Sequence, residues 1–498
     1  MGLDRNYRIC GLLFADDVVL LAPTTRKLGK ALKSVERWAK IFEMKFGAQK
    51  CGVMGVGDGA HERVLDQHEL WRLNDESLPI VTEYLYLGVL LNRDLDLDVV
   101  AKDRASKGSR ALNAIRPVLT SSSIPSIIKT RLVNAVLVPT LSYGGEIWGM
   151  QQPRCRWGQA VLSQALRLMA GIGVKSSRTS SDTLSLEFDI HPLAVTTAAA
   201  RTRALWKFPC LRTYIADLAR APMVSRKRTW VSGTLSWLSR YYNDVFDKTS
   251  PASASRFVKS NMLKKCMDKA TGVTVTRYLE CDFKSSAKYQ SYAYKYHAFC
   301  KGIWWLTRLR VNAFWTAKAF HRILWLPDLY RNRCPFCNEV GEGETIEHFL
   351  VFCSAWAGDR RECLGELLDE GATFFNLLGG SKYNGGWTSD QVRTHWVEPR
   401  EENAEDDANS QASNESHRDV ERRPPGFVQV AMYLQQVMPR RLRRLAVLLK
   451  TPRADAVDNG MAALTEGQSP DPSPSDEDDD DCSSVGTRLG PEIHTTLS

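Results

Sequence analysis

Two short apolar runs open the chain between Ile9 and Ala22, and they meet at Ala15-Asp16-Asp17. Short apolar runs joined by a tight polar turn predict a β-hairpin with carboxylates at its tip. A helix is predicted next, because Thr24 or Thr25 can cap a segment whose apolar positions recur every three or four residues. Those positions are Leu28, Ala31, Leu32, Val35, Trp38, Ala39 and Phe42, and Gly47 follows them as a stop signal.

The residues after Gly47 predict two more extended segments. Lys50–Val56 is predicted as a short strand, and Tyr84–Leu91 is a nearly continuous β run with Gly88 inside it. Strands and one helix in this part of the chain predict an α+β fold for the first block.

From Val99 onward the apolar spacing becomes helical. The segment Arg104–Leu119 predicts one helix, and Ser121-Ser122-Ser123 reads as a cap before a second helix that runs from Pro125 through Val138. Residues 150–330 carry few strand signals and many helical ones.

Past Pro399 the composition shifts to Glu, Asp, Asn, Ser and Gln, with a further acidic run at Asp476–Asp481. Such a segment cannot bury enough apolar area to offset its ordering entropy, so the tail is predicted to be disordered. The exception is Phe427–Lys450, where an apolar stretch runs into Arg440-Arg441-Leu442-Arg443-Arg444. A helix kinked at Pro439 is expected there, and it could be a nucleic-acid contact, a solvated basic helix or a nuclear-import signal.

The net charge of +9 hides an asymmetry between the body and the tail. Residues 398–498 contain 20 acidic and 11 basic residues, a charge of −9, so residues 1–397 carry +18. A basic body suits a polyanionic partner such as nucleic acid, although a merely soluble basic protein has the same balance. The chain has no signal-peptide pattern at its start and no apolar run of about 18 residues, which predicts an intracellular protein. Its twelve cysteines are then expected to be thiols or metal ligands.

The cysteine spacing contains one strong motif: Cys334, Cys337, His348 and Cys353 follow the pattern C-x2-C-x10-H-x4-C. Two thiolates from a Cys-x-x-Cys turn can converge on one tetrahedral cation, and His348 and Cys353 would close the site from a short helix. Four such ligands with no open position predict a structural Zn²⁺. Reduced core cysteines with a core histidine are the alternative, and Cys363 is a weaker ligand candidate.

A second motif is Phe14-Ala15-Asp16-Asp17. Hard cations such as Mg²⁺ take oxygen ligands, and a tight hairpin between two buried strands would hold a carboxylate rigidly. Two adjacent aspartates between apolar runs would otherwise be costly, unless they simply form a polar β-turn.

These residues, with Val18-Val19-Leu20-Leu21-Ala22 after them, resemble motif C of the reverse transcriptases of non-LTR (LINE-type) retrotransposons. The following segments are similar to the rest of that family in the same order. Lys50-Cys51-Gly52-Val53-Met54 resembles motif D, Tyr84–Leu91 resembles motif E, and Leu141–Trp148 with the helix before it resembles the thumb. The Cys/His motif is similar to the zinc-binding domain that follows the polymerase in many of these elements.

The resemblance implies roles for individual residues. Asp16 would be the main Mg²⁺ ligand with Asp17 secondary, and Lys50 would protonate the pyrophosphate leaving group. Tyr86, Leu87 and Gly88 would form the primer grip. The alternative for Lys50 is an exposed lysine at the start of a strand. The implied partners are an RNA template and a DNA primer or target DNA, and the implied location is the nucleus or a cytoplasmic ribonucleoprotein.

One departure from the family matters more than the matches. Only 15 residues precede Asp16, too few for the fingers and for the motif A strand that supplies the facing aspartate. Mg²⁺ requires near-octahedral oxygen coordination and binds weakly to one carboxylate pair. The isolated chain is therefore predicted to lack polymerase activity, unless a complementing polymerase copy supplies the missing part.

A weaker signal lies between the two motifs, where tyrosines precede Trp304-Trp305-Leu306-Thr307-Arg308-Leu309-Arg310. Aromatic faces can stack bases while Arg and Lys contact phosphates. Trp305, Phe314 and Trp325 are favoured as core residues, and the nucleic-acid contacts are expected from Arg308, Arg310 and Lys318.

The predicted fold class is α+β: a truncated reverse-transcriptase palm made of a small antiparallel sheet plus a helix, a mainly α-helical thumb and connector, a small zinc knuckle and a disordered tail. The expected divisions are residues 1–96 for the partial palm, 97–180 for the thumb, 181–330 for the connector, 331–397 for the zinc-binding module and 398–498 for the acidic tail with a basic helix near 427–450. The predicted function is the C-terminal part of an RNA-directed DNA polymerase. The alternatives are a non-catalytic nucleic-acid-binding zinc protein and the product of a decayed element.

Overall fold

The computed structural model describes residues 10–74, 76–173, 179–220, 229–270, 272–323, 325–381 and 425–449. This part of the chain is mostly helical with small antiparallel sheets, which agrees with the predicted α+β class at that level. The acidic segments that were predicted to be disordered lie outside the described residues. None of the described helices is both long enough and apolar enough to cross a lipid bilayer.

The strands form three separate two-stranded antiparallel sheets. Their bounds are β1 Gly11–Phe14, β2 Asp17–Leu20, β3 Arg72–Leu73, β4 Glu76–Ser77, β5 Glu83–Tyr86 and β6 Val89–Asn92. Each strand pairs with the next one along the chain, so every sheet is a hairpin.

The helices account for most of the rest. Their bounds are α1 Thr25–Ile41, α2 Ala60–Leu65, α3 Leu97–Thr120, α4 Ser126–Leu132, α5 Val138–Ser142, α6 Gly145–Trp148, α7 Gln152–Met169, α8 Ser181–Glu187, α9 Leu193–Lys207, α10 Tyr214–Arg220, α11 Trp230–Tyr241, α12 Pro251–Asp268, α13 Val273–Glu280, α14 Cys300–Arg310, α15 Ala317–Arg322, α16 Ala357–Asp369, α17 Phe374–Leu377 and α18 Gly426–Leu449. Two π-helical turns, Val133–Leu137 and His348–Phe352, interrupt the α geometry.

The first hairpin and α1 form where the sequence predicts them. Phe14 pairs with Asp17, which leaves Ala15 and Asp16 as the two-residue turn. The hydroxyl of Thr24 accepts a hydrogen bond from the Lys27 amide at 3.3 Å, which confirms the predicted cap. The expected burial of the strands is wrong, since Leu13 is 79% exposed and Phe14 61% exposed. Among the described residues, no element packs over the side chains of Leu13 and Phe14 closely enough to bury them.

Two of the predicted extended segments differ in the structure. Lys50–Val56 is not a strand: it begins at the end of a 3-10 turn and makes a single parallel bridge between Val53 and Ile80. The run Tyr84–Leu91 is not one strand either, because it folds back at Leu87 and Gly88 into the β5–β6 hairpin. Both turn residues have positive φ, +46° and +77°, as the tight turns that match strand twist require.

The helices after Val99 extend beyond the bounds predicted from the sequence. The predicted helix Arg104–Leu119 lies inside α3, and the one from Pro125 continues through the π-turn into α5. The serine cap is wrong for α4, because Ser121 ends α3 and Pro125 begins the next helix without a side-chain cap. The π-turn directly precedes Val138-Pro139, and such distortions are common where a proline interrupts the helical hydrogen bonds.

Three apolar clusters hold these elements together. The smallest surrounds Trp71 and receives Leu28 and Leu32 from α1. The second joins α3, α5, α7, α9 and α12. The third contains α14, the Cys/His motif, α16 and α18.

Helix α18 is a core element rather than a solvated basic helix. It runs without interruption through Pro439 and packs along α14 and α16. Its Arg441 is 1% exposed, pairs with the carboxylate of Glu344 at 2.8 Å and donates to the Trp315 carbonyl at 2.7 Å. The interpretation of residues 427–450 as a solvated helix is therefore wrong, because apolar residues and a paired arginine face the third cluster.

The ammonium group of Lys129, on α4, is fully buried and has no hydrogen-bond partner among the described residues. Burial lowers the pKa of Lys129 from 10.5 to about 8. The folded state therefore disfavours the charged form that exists in the unfolded chain at neutral pH.

We expect Lys129→Met to stabilise the protein by about 3 kcal/mol below pH 8, because each pKa unit corresponds to about 1.4 kcal/mol. The gain should shrink between pH 8 and pH 10.5, since the folded wild type loses the proton first and its penalty disappears. Denaturant unfolding of both proteins at pH 7 and pH 10 measures this difference. A gain that stays constant between the two pH values would mean that the amine is not the cause.

Candidate functional site

The structure brings Cys334, Cys337, His348 and Cys353 together. Their ligand atoms all lie within 4.8 Å of one another. Sγ of Cys334 is 3.9 Å from Sγ of Cys353, and Sγ of Cys337 is 3.4 Å from Nε2 of His348. Sulfurs around one tetrahedral zinc lie roughly 3.8 Å apart, given a Zn–S bond of about 2.3 Å. The group has the dimensions of a four-ligand metal site.

A tight turn places the first two cysteines. The amide of Asn338 donates to the Cys334 carbonyl at 2.9 Å, and the amide of Cys334 donates to the Glu339 carbonyl at 3.1 Å. Asn338 adopts φ +61°, a left-handed conformation that asparagine tolerates better than most residues. A bridge between Arg333 and Val340 closes the turn, so both thiols point to the same side.

A π-turn places the other two ligands. The Cys353 amide donates to the His348 carbonyl at 2.7 Å, which is the five-residue hydrogen bond of a π-helix. The short helix expected between His348 and Cys353 is thus a single π-turn, and the five-residue spacing matches it. The guanidinium of Arg360 fixes the end of this turn by donating to the carbonyls of Leu350 and Cys353 at 2.9 and 2.6 Å.

The protonation of the thiols follows from this geometry. A hydrogen bond from the Cys353 thiol is the main reason that the pKa of Cys334 falls to about 5. The same contact raises the pKa of Cys353, and burial raises the pKa of Cys337. A bound cation would displace the proton held between Cys334 and Cys353 and the proton of Cys337, and would take all three sulfurs as thiolates.

The chemistry of the group fits a closed metal site. Three sulfurs and one imidazole are the donors that a structural zinc ion takes, and all four are buried or half-buried. Cys363 does not belong to the group, since its thiol donates to the Gln436 side chain at 3.3 Å. The Cys3His group could hold a metal ion such as zinc.

The carboxylates of Asp16 and Asp17 lie at the exposed tip of the first hairpin. Ala15 beside them has φ +52°, which costs an L-residue about 1 kcal/mol. Among the described residues neither aspartate belongs to a group of three or more ligating side chains, and the Cys3His set is the only such group. The described residues thus supply no third ligand for a cation at Asp16.

Tyr84 connects two of the segments that resemble polymerase motifs. Its hydroxyl donates to the Lys50 carbonyl at 2.7 Å, which ties the β5–β6 hairpin to the motif D segment. Burial raises the pKa of Tyr84, with smaller contributions from Cys51 and from the carboxylate of Asp17. A side chain at Gly52 would also meet the Tyr84 ring, at 3.1 Å.

The turn at Leu87 and Gly88 is fastened to the helices that follow. The hydroxyl of Tyr143 donates to the Leu87 carbonyl at 2.9 Å, and the guanidinium of Arg104 donates to the Gly88 carbonyl at 2.5 Å. Arg104 also lies over the Tyr143 ring at 5.2 Å and pairs with Asp103 at 2.7 Å. The residues predicted as the primer grip are thus held in a fixed position relative to α3 and α5.

The arginines expected to bind nucleic acid are buried instead. Arg308 is fully buried and donates to the Ala313 carbonyl at 3.0 Å. Arg310 is 3% exposed and pairs with Glu187 at 3.0 Å. These two interpretations are wrong, because a side chain without solvent access cannot reach a phosphate. Lys318 is half-buried on α15, and no contact tests its predicted role.

The predicted core aromatics are placed as expected, and three contact residues were missed. Trp305 and Phe314 are buried, and Trp325 packs against the same cluster. Tyr84, Arg104 and Tyr143 had no predicted role, although they make the contacts that join the β5–β6 hairpin to the Lys50 segment and to the helices that follow. Their partners lie 34, 16 and 56 positions away in sequence, so no local spacing reveals them.

Comparison with known proteins gives one informative match. The chain is 23% identical over 177 residues to a putative uncharacterised transposon-derived protein from Caenorhabditis elegans. This similarity supports a transposon-related origin. The match covers 35% of this chain, and the chain spans 61% of the length of the curated relative. No protein-family profile matches the chain, and no solved structure matches it.

Proposed function

We propose that the chain is the part of a retrotransposon RNA-directed DNA polymerase that carries the motif C, D and E segments, the thumb and a structural zinc site. The observation that carries the proposal is the assembly around Tyr84. Its hydroxyl donates to the Lys50 carbonyl, and it lies on β5 of the hairpin that turns at Leu87 and Gly88. The segments that resemble motifs D and E are therefore in direct contact, which supports the proposal.

The proposal includes the prediction that this chain does not polymerise by itself. Phosphoryl transfer by two cations needs carboxylates on both sides of the ion pair. The described residues offer Asp16 and Asp17 but no third ligating side chain. A polypeptide that supplies the facing carboxylate would complete the site around Mg²⁺, and an RNA template and a DNA primer would be its partners inside the nucleus.

Primer extension on an RNA template tests this proposal. The chain alone with Mg²⁺ should give no product. The chain joined after a fingers-and-palm segment from another non-LTR reverse transcriptase, ending before that enzyme's own motif C, should extend the primer. Asp16→Asn in the joined protein should lower the rate about 10²–10³-fold, since a lost metal ligand removes several kcal/mol of transition-state stabilisation.

The matched control is Asp58→Asn, an exposed aspartate in the loop before α2, and it should leave the rate unchanged. Extension by the chain alone would refute the need for a facing carboxylate. A joined protein that copies RNA equally well with and without Asp16→Asn would refute the role of the hairpin.

A second candidate is a nucleic-acid-binding zinc protein without polymerase activity. It is favoured by the isolated position of Asp16 and Asp17 and by the well-formed Cys3His group. Nucleic-acid binding by the chain, combined with an inactive joined protein, would select it over the polymerase.

A further inference from the structure

The ends of α11 and α12 form an exposed surface where aromatic rings and basic side chains alternate. The α11–α12 surface consists of Trp237, Arg240, Tyr241, Lys264, Lys265 and Lys269. Residues 229–270 contain seven Lys and Arg against three Asp, a net charge of +4. This surface lies within residues 181–330, the segment predicted to be the helical connector.

The aromatic part of the surface is a packed cluster with one open ring. Trp237 lies 5.9 Å from Tyr241 and 5.0 Å from Tyr242, and the two tyrosine rings are 6.5 Å apart. Tyr242 is buried, whereas Tyr241 is 46% exposed. The buried rings hold Tyr241 in place while leaving it accessible to a stacking partner.

Cations border this open ring. The ammonium of Lys265 donates to the Tyr241 carbonyl at 2.8 Å and lies 4.3 Å from the centre of the Tyr242 ring. The guanidinium of Arg240 lies 5.3 Å from the centre of the Tyr241 ring. Lys264 near the end of α12 and Lys269, the residue that follows the helix, are also exposed and lie close to Lys265 in sequence. Among the described residues, no carboxylate forms an ion pair with any of these four cations.

We propose that the α11–α12 surface binds single-stranded nucleic acid, with a base stacked on Tyr241 and the backbone phosphates paired with Arg240, Lys264, Lys265 and Lys269. Base–aromatic stacking beside a line of cations is how proteins hold single strands without sequence preference. The inference deepens the proposed function and rests on it, because a copying enzyme must hold unpaired template or target strand. The surface also places part of the positive charge of residues 1–397 where nucleic acid can reach it, whereas Arg308 and Arg310 are buried.

Fluorescence anisotropy with labelled twenty-nucleotide oligo(U) and oligo(dT), measured on the full chain across a salt series, tests the proposal. Tyr241→Ala should weaken binding about tenfold, since one stacked base is lost. The triple variant Arg240→Gln, Lys264→Gln, Lys269→Gln should lower the slope of log affinity against log salt by about 2, because each phosphate contact to a single strand contributes about 0.7. The triple variant removes no hydrogen bond or ion pair within the protein that the described residues make, and its thermal unfolding midpoint should match wild type.

Tyr294→Ala is the matched control, because Tyr294 is also 46% exposed and also has an arginine, Arg131, 5.5 Å from its ring. Arg212→Gln, another exposed cation, controls for net charge. The binding role of the α11–α12 surface would be refuted if affinity fell equally in Tyr241→Ala and Tyr294→Ala, or if the triple variant bound like wild type. Neither result would contradict the proposed polymerase function. A wild type that binds neither oligonucleotide at low salt overturns the surface together with the nucleic-acid partners of the proposed function.

Discussion

Replacing Cys337 with serine is expected to abolish metal binding and to unfold the region around the Cys3His group. Cys337 supplies one of four convergent ligands, and its Sγ lies 3.4 Å from the His348 ring nitrogen. Structural zinc in small modules contributes about 10–16 kcal/mol of apparent binding energy, which is more than the stability of most domains. Metal analysis should therefore find about one zinc per chain in the wild type and none in Cys337→Ser.

Cys363→Ser provides the comparison, because this thiol is close in sequence but contacts Gln436 instead of the metal group. It should keep the zinc and nearly all of its thermal stability. Chelation of the wild type should reproduce the Cys337→Ser phenotype, and the metal should be lost more readily as the pH falls, since protons compete for the thiolates. A metal-free wild type with an unchanged unfolding midpoint would show that these are ordinary core cysteines.

Arg310→Met is expected to destabilise the protein by about 3–5 kcal/mol, because it leaves a buried carboxylate without its cation. Arg310 pairs with Glu187 at 3.0 Å, and both side chains are fully buried. It also donates to the carbonyls of Phe283 and Leu378 and to the hydroxyl of Ser286. Glu187 further accepts hydrogen bonds from Tyr278 at 2.6 Å and Tyr289 at 2.8 Å, so one substitution disturbs contacts between α8, α13 and α14.

Denaturant unfolding measures this loss, and two further variants interpret it. Arg93→Met removes an exposed ion pair with Asp94 at 3.8 Å and should cost less than about 1 kcal/mol. Adding Glu187→Gln to Arg310→Met should recover part of the loss, since it removes the unpaired charge. If Arg310→Met weakened nucleic-acid binding without changing stability, the original interpretation of Arg310 as a phosphate contact would be restored.

Features encoded by neighbouring residues were predictable from the sequence. The Thr24 cap, the hairpin turn at Ala15 and Asp16, and the Cys-x-x-Cys turn each depend on fewer than ten consecutive residues. Their signals are the cap hydroxyl, the break between apolar runs and the cysteine spacing. The π-turn at His348 also belongs to this class, although its five-residue hydrogen bond is visible only in the structure.

Features that depend on distant partners were not predictable. Arg310 follows two tryptophans in sequence, a pattern that predicts a nucleic-acid contact. Its charge is instead neutralised by Glu187, which is 123 positions away. A solvated basic helix was one alternative for residues 427–450, and Arg441 contradicts it for the same reason, because its partner Glu344 is 97 positions away. Arg440, Arg443 and Arg444 on the same helix are exposed. The exposure of the first hairpin was not predicted either. Its strands are apolar and were therefore expected to be buried beneath another layer, but their side chains are exposed.

The position of α18 determines how the protein can be shortened. This helix lies against α14 and α16, next to the metal group, yet residues 382–424 separate it from α17 in sequence. A protein that ends at residue 381 would keep all four metal ligands but lose Phe427, Tyr433 and Arg441, leaving Glu344 buried without its cation. A shortened protein should therefore retain α18.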